Sequence, residues 1–228
     1  MKSEKKYKLT DETINIGGRT LYRIEALDEF SDLWKGDKGG FVESELNLSQ
    51  KGNCWIYDDA CVYDGGRVEG DASIWGDSSV CGNSLVTDKA LVTDNAVING
   101  NAVIYGNARV RGNAHISDAY VLGNAVVSDA TVSCTDFIRG YAMIYGDAKI
   151  LCQQDYRVFK DRLDTNKHFT WTRSNNMWKS EDFYCNGEEL VKRGYEMNDI
   201  VGHYYESCVN FVNEYCNCLR FLCKKEEK

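Results

Sequence analysis

The sequence predicts a mainly β protein: a single-stranded parallel β-helix, preceded by a β-hairpin cap and followed by a hairpin and a long helix. Three observations carry this. An aliphatic residue recurs every six positions over residues 53–150. Proline is absent from all 228 residues, as suits an unbroken ladder, since proline removes a donor. Beyond residue 198, apolar residues recur at alternating intervals of four and three, a heptad seam. The predicted domains are residues 1–50, 51–151 and 152–228.

Residues 1–50 read as the cap. Residues 13–16 and 19–24 alternate in the manner of two strands, and Gly17-Gly18 supplies a tight hairpin turn. Residues 26–34 are read as a short helical or irregular linker. Residues 35–40, Lys-Gly-Asp-Lys-Gly-Gly, form a turn feeding Phe41. That turn lacks the spacing of a phosphate-binding loop. A cap is physically required, because an open coil end exposes unpaired strand groups.

The repeat is clearest at Asn95-Ala96-Val97-Ile98-Asn99-Gly100 and Asn101-Ala102-Val103-Ile104-Tyr105-Gly106. Seventeen units run from the one holding Ile56 to the one holding Ile150, and their fourth position is always Ile or Val. Their second position is nearly always Ala, Gly or Ser. The units holding Val121 and Val132 are one residue short. A period of six excludes a helix, whose faces recur every 3.6 residues. Small, variable, branched is strand alternation with two neighbours facing inward. Asn, Asp or Gly then supplies permissive backbone at a corner. One short strand cannot bury its apolar side alone, but stacked coils can.

With three units per coil, outward residues sort into three walls. The first carries Trp55, Tyr57, Trp75, Arg109 and Arg111, a composition enriched at binding hot spots. The second carries His115. The third carries an apolar stripe, Leu85, Val103, Tyr105, Tyr120, Leu122 and Phe137. A stripe of that kind normally becomes covered, so it is read as a subunit interface, of a dimer or trimer, or as a dock for another segment of the chain.

After residue 152 the period is lost. Residues 168–173 and 177–184 read as a second hairpin, residues 188–195 as a short helix, and residues 198–223 as a long one. The seam of the long helix is Val201, Tyr205, Cys208, Val212, Tyr215, Leu219 and Leu222. It is expected either to pack within the chain or to self-associate.

The formal charge of −8 argues against a basic nucleic-acid clamp, so direct nucleic-acid binding is not expected. No apolar run reaches the ~18 residues of a spanning helix, and membrane association is not expected. The polar start, Met1-Lys2-Ser3-Glu4-Lys5-Lys6, shows no secretory signal. The ten cysteines are therefore expected as reduced thiols in a cytoplasm. Their spacing matches no metal site, and no metal or cofactor is expected.

The middle region resembles the hexapeptide-repeat, left-handed parallel β-helix superfamily: Ile98 followed by Ala102 matches its aliphatic-to-small spacing. Here Gly or Asp stands two positions after the aliphatic residue, as in Ile104 and Gly106, where that superfamily often has it directly after. The resemblance implies the left-handed sense. It also implies one activity, because many such proteins transfer acyl groups from coenzyme A thioesters with a histidine base near a subunit boundary. His115, on a regular coil, would be that base. The whole chain also resembles uncharacterised proteins often encoded by bacterial prophages, through Gly18-Arg19-Thr20-Leu21, the Lys-Gly-Asp-x-Gly-Gly turn, Thr172-Arg173-Ser174-Asn175-Asn176 and Gly187-Glu188-Glu189-Leu190. That resemblance implies a bacterial cytoplasm. The leading expectation is a non-enzymatic binding protein: a counter-defence or host-takeover inhibitor that binds a bacterial protein, or sequesters a ligand, through the β-helix faces, with the first wall as the partner-binding face. The alternatives are a coenzyme A-dependent acyltransferase and a structural scaffold or polymer component.

Overall fold

In the computed structural model, residues 5–161 and 167–226 are described, with side chains as far as Leu219. The chain divides between Gln153 and Gln154 into two compact units.

The first unit is a parallel β-solenoid of six turns and one further strand, with three walls. Strands of two or three residues stack in register, as Leu91 on Ser73 and Arg109 on Leu91 in the first wall. The second wall stacks Val97, His115 and Thr131, and the third stacks Leu85, Val103 and Tyr120. The fourth-position aliphatics, from Ile56 to Ile150, are completely buried, and so are the alanines two places before them, such as Ala102 and Ala114. One face of each strand thus lines the interior, and the residues on either side of each aliphatic face out.

The corners explain where Gly and Asp fall in the repeat. Except after Val132 and Ile150, the residue two places after the aliphatic adopts a left-handed backbone, as at Gly106 (φ 75°), Gly112 (φ 65°), Asp94 (φ 65°) and Asp64 (φ 58°). Gly enters that region without penalty, and Asp tolerates it. The aspartates add a bond across the stack. Asp58 Oδ2 accepts from Gly76 N–H (3.1 Å), Asp88 Oδ2 from Gly106 N–H (3.1 Å) and Asp94 Oδ2 from Gly112 N–H (2.8 Å). Asp118 and Asp129 instead reach down to the N–H groups of Asn101 and Asn113, each at 2.9 Å. These backbone N–H bonds are the main reason the Asp118 and Asp129 carboxyls sit below their ordinary value.

The solenoid begins one partial turn before the repeat becomes visible. Val42 pairs with Val62, and Leu48 bridges Val68, so both are rungs. The interval from Leu48 to Ile56 is eight residues, and an exposed Leu46 stands where the small residue belongs. Both departures hide the first turn. The cap is longer than the predicted hairpin: β1 (Tyr7–Ile16), β2 (Arg19–Ala26) and β3 (Lys38–Val42) form an antiparallel ribbon. Gly17 and Gly18, at φ 58° and 83°, make the β1–β2 turn. Residues 35–40 are accordingly part turn and part strand, and residues 27–34 are irregular rather than helical. Because β3 also pairs in parallel with the strand at Cys61, the ribbon extends the second wall and covers its edge. Arg23 fastens it, with bonds to Glu12 (2.6 Å) and Asp59 (2.8 Å) and its guanidinium 4.1 Å over the Phe41 ring. Lys6 Nζ donates to the carbonyls of Gly52 (3.1 Å) and Cys54 (2.9 Å). Burial there lowers the pKa of Lys6.

The second unit is an antiparallel sheet of four successive strands, Tyr156–Lys160, His168–Thr172, Met177–Lys179 and Tyr184–Cys185, followed by α1 (Gly187–Met197) and α2 (Asp199–Glu226). The strand Tyr156–Lys160 is unforeseen by the sequence pattern. Asn186 caps α1 by accepting from Glu189 N–H (2.9 Å), and Asn198 Oδ1 accepts from Val201 N–H (3.0 Å) at the start of α2. Val201, Tyr205, Cys208 and Val212 are buried in a cluster with Phe169, Trp171, Trp178, Cys185 and Leu190. That part of the seam is spent inside the unit and is not available for self-association. Tyr215 packs at the margin of the cluster with the Arg157 guanidinium 4.2 Å from its ring, and Leu219 is half-buried. The Leu222 side chain lies outside the described residues.

Two outcomes follow. A Cβ at Gly40 would lie 2.3 Å from the Ala60 carbonyl oxygen and 2.5 Å from Ile56 Cγ2. Gly40→Ala is therefore expected to lower the stability of the first unit by at least about 1–3 kcal/mol, as overpacking does, read by urea denaturation. The folded pKa values of Asp118 and Asp129 lie below their ordinary 3.8. The stability they contribute is present above that value and is lost as pH falls through the folded pKa. The melting temperature should drop between about pH 5 and about pH 2, and the Asp118→Asn, Asp129→Asn double variant should drop less.

Candidate functional site

The first wall does not present its predicted residues as one patch. Trp55 is completely buried, with Phe30 edge-on at 5.4 Å and Tyr7 at 6.1 Å. Its expected role as an exposed binding residue is corrected: the cap lies over it. A Cβ at Gly39 would come within 2.7 Å of its ring, so the glycine pair at 39–40 is the trace of that packing in the sequence. Tyr57 and Trp75 sit on successive rungs and stack at 3.6 Å with their planes 6° apart. The Tyr57 hydroxyl donates to Asp32 Oδ1 (2.9 Å), and partial burial together with that carboxylate raises the phenol pKa. Beyond Trp75 the wall continues through Leu91 and Thr93 to Arg109 and Arg111, both exposed. Arg111 bonds the Tyr145 hydroxyl and lies 5.4 Å from its ring centroid. An open hollow of ≈ 520 Å³ lies against Trp75, lined also by Asp58, Gly76, Leu91, Thr93 and Asp94.

The second wall is more polar. His115 is exposed, with Val97 below it and Thr131 above. Asn99, one coil lower, places its amide nitrogen 3.0 Å from His115 Nε2. Asn99 Oδ1 is buried and has no hydrogen-bond partner among the described residues. Which amide atom faces the ring, and which ring nitrogen carries the proton, are linked choices. The sequence reading missed Asn99. Its trace is its place one position after an aliphatic, sixteen residues before His115, which puts it one coil down and beside that ring. At the capped end of this wall, burial pushes the Cys61 thiol up to about 11.

The third wall keeps its apolar stripe. Leu85, Val103, Tyr105 and Leu122 are half-buried, while Tyr120 and Phe137 are 36% and 42% exposed, their rings 4.9 Å apart. A cleft of ≈ 570 Å³ lined by Ser44, Asn47, Arg67, Leu85 and Val103 adjoins the stripe at the cap end. The corner at residues 118–119 joins the His115 strand to the Tyr120 strand, so His115 stands one corner from the stripe. The other two histidines, His168 and His203, belong to the second unit. Among the described residues, no cluster of three or more His, Cys, Asp or Glu side chains could hold a metal ion, and no helix is long and apolar enough to cross a membrane.

A three-walled parallel solenoid with aliphatic rungs and small residues beside the corners fits the β-helix superfamily. No protein-family model matches the chain. A stretch of 42 residues is 43% identical to an uncharacterized acetyltransferase, YdcK, of Escherichia coli (strain K12). It covers 18% of this chain and 13% of that protein's length. This likeness corrects the leading functional expectation. The non-enzymatic inhibitor rested on a prophage resemblance that no comparison supports, whereas the protein found to be similar carries the name of an enzyme.

Proposed function

We propose that this protein is an acyltransferase that takes an acyl group from a coenzyme A thioester, with His115 as its general base. The likeness to the E. coli protein named as an acetyltransferase is the observation that carries this reading. The geometry supports it with a single exposed imidazole on the solenoid and Asn99 beside it. The base-competent arrangement has Nε2–H donating to Asn99 Oδ1, which leaves the Nδ1 lone pair free. In this scheme Nδ1 takes the proton of an acceptor amine or hydroxyl as that atom attacks the thioester carbonyl. The new C–N or C–O bond forms, the C–S bond breaks, and the departing thiolate receives the proton from Nδ1–H.

Such a step needs water excluded from the carbonyl. In the first unit the described corners are tight, and none extends over His115. A second copy of this chain on the neighbouring third wall, at Tyr120 and Phe137, would supply the enclosure. The subunit boundary would then fall one corner from the base. The cysteine-rich composition fits a reducing compartment such as the cytoplasm.

The test is acceptor-dependent release of free coenzyme A from acetyl-coenzyme A, followed by mass spectrometry across amine and hydroxyl acceptors. His115→Ala should lower turnover by about 10²–10⁴-fold while leaving the melting temperature unchanged. Phe137→Glu should lower both the mass in light scattering and the turnover. Release that persists undiminished in His115→Ala defeats the assignment of the base. A wild-type chain that is strictly monomeric yet active defeats the shared-site arrangement.

A further inference from the structure

We propose that the hollow on the first wall is a purine-nucleotide site, with the base stacked on Trp75 and the anionic tail on Arg109. The proposal does not depend on acyl transfer.

Tyr57 and Trp75 lie on neighbouring rungs, parallel and 3.6 Å apart. At that separation their planes are stacked along the rod, so one face of the Trp75 indole is covered by Tyr57 and the other looks toward the next rung. That rung carries Thr93, too short to cover an indole. Its hydroxyl is also turned toward the corner, on Asp94 Oδ2 at 3.0 Å. The following rung carries Arg111, whose guanidinium reaches away from Thr93 to the Tyr145 hydroxyl. Two rungs span about 10 Å along the wall. A planar ring in van der Waals contact on both sides needs about 7 Å. The hollow of ≈ 520 Å³, floored by Leu91 and Thr93, is that gap.

Its chemistry selects the ligand. The floor is apolar at Leu91, and one side is an aromatic face, which favours a flat ring over a sugar or an extended peptide. The corner side is edged by Asp58 and Asp94, carboxylates that only accept. Each has one oxygen committed to a backbone N–H, Gly76 or Gly112. The second oxygen suits an exocyclic amine on the ring edge. On the opposite side, on the rung above Leu91, stands the exposed guanidinium of Arg109, which suits phosphate oxygens. A ring with an amine at one edge and a negative tail at the other is an adenine or guanine nucleotide. A free nucleotide and the nucleotide end of a coenzyme A thioester share this chemistry.

The test uses the full chain without acceptor, so failure of acyl transfer leaves it readable. ADP is titrated by calorimetry and by tryptophan emission. ADP should bind and quench, and Trp75→Leu should weaken binding by about tenfold or more, as loss of base stacking does. Thr93→Trp fills the gap while keeping Trp75, and should abolish ADP binding without lowering the melting temperature. Arg109→Glu should weaken ADP but not adenosine. The sources separate in a further arm: binding of acetyl-coenzyme A tighter than ADP assigns the site to the thioester donor, and equal or weaker binding assigns it to a free nucleotide. Absence of ADP binding, or ADP affinity unchanged in both Trp75→Leu and Thr93→Trp, overturns the proposal.

Discussion

The fold of the first unit rests on a backbone constraint: at each well-formed corner one residue must enter the left-handed region. Most side chains resist that region by roughly 1–2 kcal/mol per residue. A rod of six turns carries the requirement many times over, and Gly and Asp meet it by different routes. Gly76, Gly106 and Gly112 meet it by having no Cβ. Asp58, Asp88 and Asp94 tolerate it, and each also accepts an N–H from the corner above. Without these residues the chain could not turn between strands only two or three residues long, and the aliphatic interior would have no walls.

Once the corners are set, the interior follows. Ile and Val, with Ala and a few other small residues such as Ser78 and Ser84, fill it and alternate with outward-facing positions. The walls are therefore rigid, and residues a full coil apart in sequence become neighbours. Tyr57 meets Trp75, and Asn99 meets His115, through ladder pairing alone. No long loop is needed to bring such groups together, and none in the first unit encloses His115. A solenoid can present chemistry on a flat face, but enclosure must come from elsewhere. That is why the apolar wall beside His115 matters to the proposed reaction.

Much of this was legible in the sequence because the repeat is a physical period. The three walls and their members could be assigned from spacing, and strand pairing agrees with them from Trp55 to Lys149. What spacing could not carry was anything that breaks the period. Val42 and Leu48 are rungs, but a two-residue insertion before Ile56 and the misplaced Leu46 conceal them. Trp55 reads as outward, and it is; burial comes from Phe30 and Tyr7, whose approach no period records. The His115–Asn99 pair was missed because position alone does not say which long side chains lean toward each other. In the second unit the heptad spacing located the buried stripe of α2, but the partner that covers it depends on tertiary packing with Phe169 and Trp178.

Corner-to-corner bonds in the rod mostly join residues eighteen positions apart, as Asp58 joins Gly76 and Asp88 joins Gly106. Each eighteen-residue coil thus offers the same surface above and below. Insertion or loss of an eighteen-residue block between equivalent corners would leave each remaining contact native in kind. Rod length is consequently free to change by duplication, whereas the one-residue contractions at Val121 and Val132 fix phase. They mark the stretch holding His115 as the part of the molecule least interchangeable with its neighbours.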